Sequence, residues 1–380
     1  MKKIISFLTA VLIIASTSFS AFAQSAPSKE TVSNQQKGAV EFVTKGVASY
    51  SLDNAVEYSD YAVSGADISK FNDAFLADVK ANLEKNNGKL ISTYGESLAT
   101  YGSVVLILDS AGENPRDFYG YDIVKAFTSM DPASDAGSSY YYRIIISALK
   151  LLGEDEFALK VCDALIDKYY VMGSGTDNWG FSCDNDGQFI TALAPYAENY
   201  PDVIADAFNC IEKYESDGGY FGDAQWTPYV NTCSTALAFM AYSSYAYYNN
   251  DEKSFEKANA IYADLCTFES SGNTGVFLDS YSDTEDAYST RNALMGLNEY
   301  AKALELFAKT EDNTTTTPAD DNKNENQQTT DAAVTETAAE KEVNDSKKSP
   351  NTGASITAVS LAFAIAMGAG ATVITKRKEK

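Results

Sequence analysis

Asp217-Gly218-Gly219-Tyr220-Phe221-Gly222 is followed, after a polar link, by Ser234-Thr235-Ala236-Leu237-Ala238-Phe239-Met240-Ala241-Tyr242. A glycine-rich turn carrying aromatics leads into a helix that is apolar on nearly every side. The plan recurs. Asn178-Trp179-Gly180-Phe181 precedes Phe189-Ile190-Thr191-Ala192-Leu193-Ala194, and Gly275-Val276-Phe277 precedes Arg291-Asn292-Ala293-Leu294-Met295-Gly296-Leu297. Two earlier apolar helices centre on Ile107 and Ala148. With Ile107, Ala148, Ala192, Ala236 and Ala293 as anchors, the spacings are 41, 44, 44 and 57 residues. Periods of this size mark stacked supersecondary units.

Between these helices lie others that are apolar on one stripe only. Ile68 to Leu83 carries Phe71, Phe75, Leu76, Val79 and Leu83, with Asp67 as a capping residue; Glu156 to Tyr170 and Glu252 to Thr267 read similarly. Shorter or less regular patterns run over Gly38–Tyr50 and Tyr121–Ser129, and Gln188–Tyr200 reads as one helix. Val104 to Leu108 alone could be a strand, but its pattern extends over about four helical turns and ends at Gly112. Gly112 and Gly153 close successive helices and suit left-handed termini. No segment alternates convincingly with period two. The fold class is all-α. An all-round apolar helix must be surrounded, and a one-stripe helix can face water. Alternating the two sorts gives an α/α toroid of repeated helix pairs; an open solenoid is the rival.

The chain of 380 residues has a formal net charge of −24 and no histidine. The charge argues against nucleic acid as partner. The missing histidine removes Ser-His-Asp and Cys-His catalysis and histidine metal ligands. We expect no metal site and no cofactor. Five cysteines, Cys162, Cys183, Cys210, Cys233 and Cys266, read mainly as free buried thiols; Cys183–Cys233 or Cys162–Cys210 bridges stay open.

Residues 1–23 read as a secretory signal, with Lys2 and Lys3, an apolar run and Ala21-Phe22-Ala23 before the cut. Residues 24–67 form an N-terminal segment, 68–310 the toroid, and 311–348 a polar linker too poor in apolar residues to bury a core. Ser349-Pro350-Asn351-Thr352-Gly353, an apolar span over 354–375 and a basic tail over 376–380 follow. This order resembles the sortase signal of Gram-positive surface proteins, with Ser349 where leucine is usual. The resemblance implies cleavage after Thr352 and attachment to peptidoglycan, with sortase as partner and membrane contact through the C-terminal helix before sorting. A plain transmembrane anchor is the alternative. Either places the domain at the cell surface.

The repeats resemble the terpenoid cyclase/protein prenyltransferase toroid, including its "prenyltransferase and squalene oxidase repeat" surface proteins. The residues concerned are Gly112-Glu113-Asn114-Pro115, Asn178-Trp179-Gly180-Phe181 with Asp186, Asp217-Gly218-Gly219-Tyr220 and Ser289-Thr290-Arg291-Asn292-Ala293-Leu294. The resemblance implies the fold and withholds an activity. Asp184-Asn185-Asp186-Gly187 lacks the last acid of the cyclase Asp-x-Asp-Asp, and the zinc set of the prenyltransferases needs a histidine.

Asp184 and Asp186 read first as helix caps, with a calcium loop as the rival. If the aromatic turns gather at one end, Trp179, Tyr220 and Trp226, beside Asp186, Gln188, Asp217 and Asn231, would bind a sugar or another flat polar ligand; the plain alternative is that Trp179 and Tyr220 plug gaps between helices. The leading expectation is a wall-anchored, non-catalytic binding or adhesion module, its partner a glycan, a small molecule or a host protein. The alternative is an extracellular glycan hydrolase or lyase using Asp184, Asp186 and Asp217. A passive spacer is the third reading.

Overall fold

The computed structural model describes residues 26–134 and 138–314, with side chains to 307. The chain divides into a unit ending at Asn313 and a second, Thr314–Lys380, that lies outside the described residues but for Thr314. The expected signal peptide, the sortase motif, the apolar span and nearly all of the linker also fall outside them. Among the described residues no helix is long and apolar enough to cross a membrane.

Among the described residues twelve α-helices follow one another: α1 Lys29–Val43, α2 Ala55–Ala62, α3 Ser69–Lys85, α4 Leu98–Ser110, α5 Ile123–Thr128, α6 Tyr142–Leu152, α7 Asp155–Tyr169, α8 Cys183–Leu193, α9 Pro201–Ile211, α10 Thr232–Asn249, α11 Glu252–Cys266 and α12 Ala287–Thr314. The even-numbered helices form an inner ring. Each of α2, α4, α6, α8 and α10 packs on the next in that order. All five sequence anchors lie on the inner helices α4, α6, α8, α10 and α12 and are buried.

The two burial patterns separate the rings. On α10 buried residues run around the whole helix, from Thr232 to Ala246. On outer α3 they reduce to Phe71, Phe75, Val79 and Leu83, one stripe at four-residue spacing. Burying each such side chain contributes about 1.5–3 kcal/mol. The inner helices touch closely where glycine stands. A Cβ on Gly187 of α8 would lie 2.6 Å from the Leu237 carbonyl oxygen of α10, and one on Gly102 of α4 would meet the backbone of Ile145 at 3.1 Å.

The ring closes. The Asn298 side chain of α12 donates to the Asp60 carbonyl of α2 at 2.9 Å, and Gln36 of α1 donates to Asn298 at 2.9 Å. Gln35 of α1 meets Glu269 at 2.8 Å and accepts from Tyr262 of α11 at 2.9 Å. The first helix pair is thus seated on the last, which decides for a toroid over an open solenoid. Residues 29–62 therefore belong to the ring, a correction to the expected start at 68. Their signal was weak because α1 buries Gln35 and Gln36, amides that an apolar periodicity does not register.

Three further differences are local. Gln188–Tyr200 is not one helix: α8 begins at Cys183 and gives way to a 3-10 turn, Ala194–Asn199, because Pro195 offers no N–H to continue it. Asp67 bonds the Ser69 N–H at 3.0 Å from one residue before the N-cap position, which Ile68 occupies. Three two-residue hairpins were not anticipated: β1 Tyr170–Val171 with β2 Gly175–Thr176, β3 Glu215–Ser216 with β4 Gly219–Tyr220, and β5 Leu278–Asp279 with β6 Thr284–Glu285. Strands this short carry no alternation to read. Gly112 and Gly153 have the expected positive φ, 77° and 70°.

Candidate active site at the mouth of the ring

Each hairpin joins the end of an outer helix to the start of the next inner one, so the three gather at the N-terminal end of α8, α10 and α12. A five-residue pattern repeats there. Its first member caps the helix: Ser182 accepts from the Asn185 N–H, Asn231 from Ser234 at 2.9 Å, and Asp286 from Ser289 at 2.7 Å. Its fifth member holds the preceding hairpin segment: Asp186 accepts the Thr176 N–H at 2.7 Å, Thr235 that of Tyr220 at 3.0 Å, and Thr290 that of Phe277 at 2.9 Å. The same rule reaches α4, where Ser97 caps and the Tyr101 hydroxyl accepts from Leu90 at 3.1 Å.

The third member lies 200° around the helix from the fifth, towards the axis of the ring. In chain order these residues are Asp184, Cys233 and Tyr288, and Tyr140 holds the matching place two residues after the cap Ser138. Burial, and after it the Asp184 carboxyl, lifts the titration of Tyr140, Cys233 and Tyr288 alike. Four neighbouring repeats therefore bring a carboxyl, a thiol and two phenols to one place. Tyr288 is 51% exposed, and desolvation raises its hydroxyl to about 12.

Asp184 is the distinctive member. Burial pushes its carboxyl above the usual range, a hydrogen bond from Ser234 opposes this, and the negative charge of Asp223 adds to it. Its Oδ1 is buried with no hydrogen-bond partner, as is Oδ2 of Asp186; an unpaired buried oxygen is free to accept from a ligand. Asp223 is the reverse case. Burial favours its neutral form, but hydrogen bonds from the backbone of Trp226 and Gln225 and the hydroxyl of Thr227 outweigh it and hold the carboxylate below its ordinary value. Desolvation raises the Cys233 thiol to about 12, which leaves it protonated and a poor nucleophile.

Deeper in the ring, Asp60 of α2 is 2% exposed and binds two guanidiniums, Arg143 of α6 at 2.7 Å and Arg291 of α12 at 2.8 Å. Leu237, Met240 and Met295 form a small apolar cluster of their own, and Arg143 touches the Met295 sulfur. The Arg-Asp-Arg group ties three inner helices together and leaves a net positive charge.

The expected site residues part company. Asp184 is at the mouth. Asp186 is a buried latch facing the outer layer, so the two do not form one chelating loop, and neither caps the helix: Ser182 does. Asp217 is exposed at a hairpin tip. Tyr220 is 1% exposed and plugs the wall of the ring, and Gln188 is buried within α8. Asn231 is a cap. Trp179 and Trp226 are exposed on the rim. Tyr140, Tyr288 and Asp223 were missed as site residues; a phase alignment of the three caps would have found Tyr288. All five cysteines are free, with Cys162, Cys183 and Cys210 buried and Cys233 and Cys266 half-buried. Two surface recesses elsewhere are poorer candidates. Glu269 in one is held by Gln35 and Gly275, and Asp53 and Asp78 in the other accept from the backbone of Thr93 and Leu52.

No family model matches this chain, and no curated protein matches its sequence. Solved structures share its fold. One is described as a possible member of the GH105 family from Klebsiella pneumoniae, with 10% identity over 72% of this chain and 94% of that one at a TM-score of 0.50. Another is a glycosyl hydrolase family 88 protein from Bacteroides vulgatus, with 12% identity over 73% and 100% at a TM-score of 0.49. A D-mannose isomerase covers 72% and 86% with 11% identity at a TM-score of 0.43. The shared fold is the α/α toroid. The comparison corrects the expectation that the lack of familiar catalytic sets weighs against an enzyme: the same ring is found in a protein described as a possible member of the GH105 family. That expectation rested on the absence of histidine and on the acids and zinc ligands of cyclases and prenyltransferases.

Proposed function

We propose that the mouth of the ring hydrolyses glycosidic bonds, with Asp184 as the proton donor. The observation that carries this is the Asp184 carboxyl, pushed up by burial, with one oxygen unpartnered, among Tyr140, Cys233 and Tyr288. Glycoside hydrolysis needs one carboxyl that keeps its proton near neutrality and one that stays ionised. Asp184 and Asp223 are shifted in those opposite senses. Asp184 would protonate the departing sugar oxygen, and Asp223 would activate water or support the positive charge developing on the sugar ring. The description of the Klebsiella protein as a possible GH105 member, on a shared fold, supports the same class.

The test is reducing-sugar release by the purified chain from a panel of polysaccharides and oligosaccharides. Turnover that disappears in Asp184→Asn supports the assignment. Turnover that survives the substitution rules Asp184 out as the acid. The sequence further supports placing this activity outside the cell, held to the wall through Ser349–Gly353; a wall-digest fragment ending at Thr352 would bear that out.

A further inference from the structure

The rim presents a second, regular feature. Each of the three hairpin connections displays a large aromatic ring that is mostly in solvent: Trp179 at 73% exposure, Trp226 at 78% and Tyr281 at 87%, with Phe181 and Tyr229 exposed to a lesser degree. The connections lie side by side. The Cys183 N–H at the start of α8 bonds the Gly222 carbonyl of the second connection at 2.8 Å. At the start of α10, Thr232 bonds Ser280 and Leu278 of the third at 2.8 and 2.6 Å. The rings are held out by local structure. Trp179 sits at φ 64°, a left-handed conformation that bulky side chains rarely adopt. The Asp177 carboxylate fixes it through Gly180 at 2.9 Å, and Asn185 grips the Gly180 carbonyl at 2.6 Å. Asp223 holds the Trp226 N–H at 2.6 Å, and Asp279 the Tyr281 N–H at 3.1 Å.

Charge on these connections is of one sign. Residues 170–182, 215–231 and 267–286 carry nine acidic and no basic side chains. Among the described residues, Glu215 alone of the nine has an ion pair, with Lys257 at 2.6 Å. A polyanionic glycan would meet uncompensated repulsion here. A sugar polymer bearing protonated amines meets both features at once, since ammonium groups are drawn to carboxylates and to the faces of Trp and Tyr, while the flat sugar rings stack on the same aromatics.

We propose that Trp179, Trp226 and Tyr281 form an extended subsite row for an amino-bearing glycan chain, leading over the rim to Asp184. The inference rests on the reading of the mouth as a glycan site and names its substrate class.

The experiment is calorimetric titration of the full chain carrying Asp184→Asn with a glucosamine hexasaccharide, its N-acetylated counterpart and an oligogalacturonate, at mildly acid pH and two salt concentrations. We expect the glucosamine oligomer to bind best, more weakly at high salt, and to lose about tenfold in affinity in Trp226→Ala and again in Tyr281→Ala. Both substitutions leave net charge unchanged, so adventitious attraction of a cation to an acidic protein would not respond to them. Equal binding by these variants overturns the proposal, as does preference for the acetylated or the uronic oligomer. Failure here is distinct from failure of the catalytic reading. An amino glycan bound through the aromatics but not cleaved by the native chain leaves the row standing and removes the acid. Cleavage of another glycan through Asp184, with no amino preference, does the opposite.

Discussion

Asp184 and Asp186 stand two residues apart on α8 and face opposite layers of the ring: Asp184 lies among Tyr140, Cys233 and Tyr288 at the mouth, while Asp186 holds the Thr176 N–H beneath the first hairpin. A helix turns 100° per residue, so this separation is set by spacing. The same spacing in α10 and α12 places Cys233 and Tyr288 inward and Thr235 and Thr290 as latches. Since two of three repeats use threonine at the latch, the carboxyl of Asp186 performs a structural task there.

Substituting the pair should separate activity from stability. Asp184→Asn is expected to reduce hydrolysis by roughly 10²–10⁴-fold, the usual contribution of a general acid, with an unfolding midpoint at or above that of the native chain because a buried, partly unpartnered carboxyl is replaced by a neutral amide. Asp186→Ala should cost about 1–3 kcal/mol through the orphaned Thr176 N–H. Kinetics and thermal unfolding on both variants check this; equal activity loss would show that the latch also shapes the site.

The Asp186 carboxyl sets a pH dependence of stability. Desolvation lifts it from 3.8 to about 7, against the opposing Thr176 and Lys213. The folded state thus binds the proton more tightly than the unfolded chain. This contribution is fully present below 3.8 and is lost as pH rises through about 7. Relative to Asp186→Asn, the native chain should lose stability across that window, by at most about 1.4 kcal/mol per pH unit. Urea unfolding of both proteins over the range measures the difference; parallel profiles would refute it.

Asp60 is predicted to govern closure. Asp60→Ala leaves Arg143 and Arg291 together in the ring without the carboxylate they share, at a cost of about 3–5 kcal/mol. Hydrogen exchange should show α2 and α12 opening first. The triple change of Asp60, Arg143 and Arg291 to apolar residues should recover much of the loss, which thermal unfolding would detect.

Gly187→Ala should cost about 1–3 kcal/mol, because the added methyl would meet the Leu237 carbonyl at 2.6 Å and force α8 and α10 apart. Gly272→Ala, on a loop with open space around the added atom, serves as the control and should be close to neutral. Similar midpoints for the two would mean that the inner helices are less closely seated than their separation implies.

Much of the ring was legible before any coordinates. The anchors Ile107, Ala148, Ala192, Ala236 and Ala293 mark inner helices because a surrounded helix must be apolar all round, and Phe71, Phe75, Val79 and Leu83 mark an outer one because only one stripe is covered. Glycines 112 and 153 announced helix ends through a backbone requirement that is purely local. Asp184 was among the acids considered, but so were Asp186 and Asp217, since residue type alone does not say which way a carboxyl points. Closure depended on Gln35, Gln36, Asn298 and Asp60, whose bonds across the seam span 227 to 262 residues. Polar pairs at such separations leave no periodic trace. The gathering of Tyr140, Asp184, Cys233 and Tyr288 likewise exists only once four repeats share an axis. Local periodicity determined the helices and their two kinds; the phase of each helix and the closing of the ring, both products of long-range packing, decided which of its acids could do chemistry.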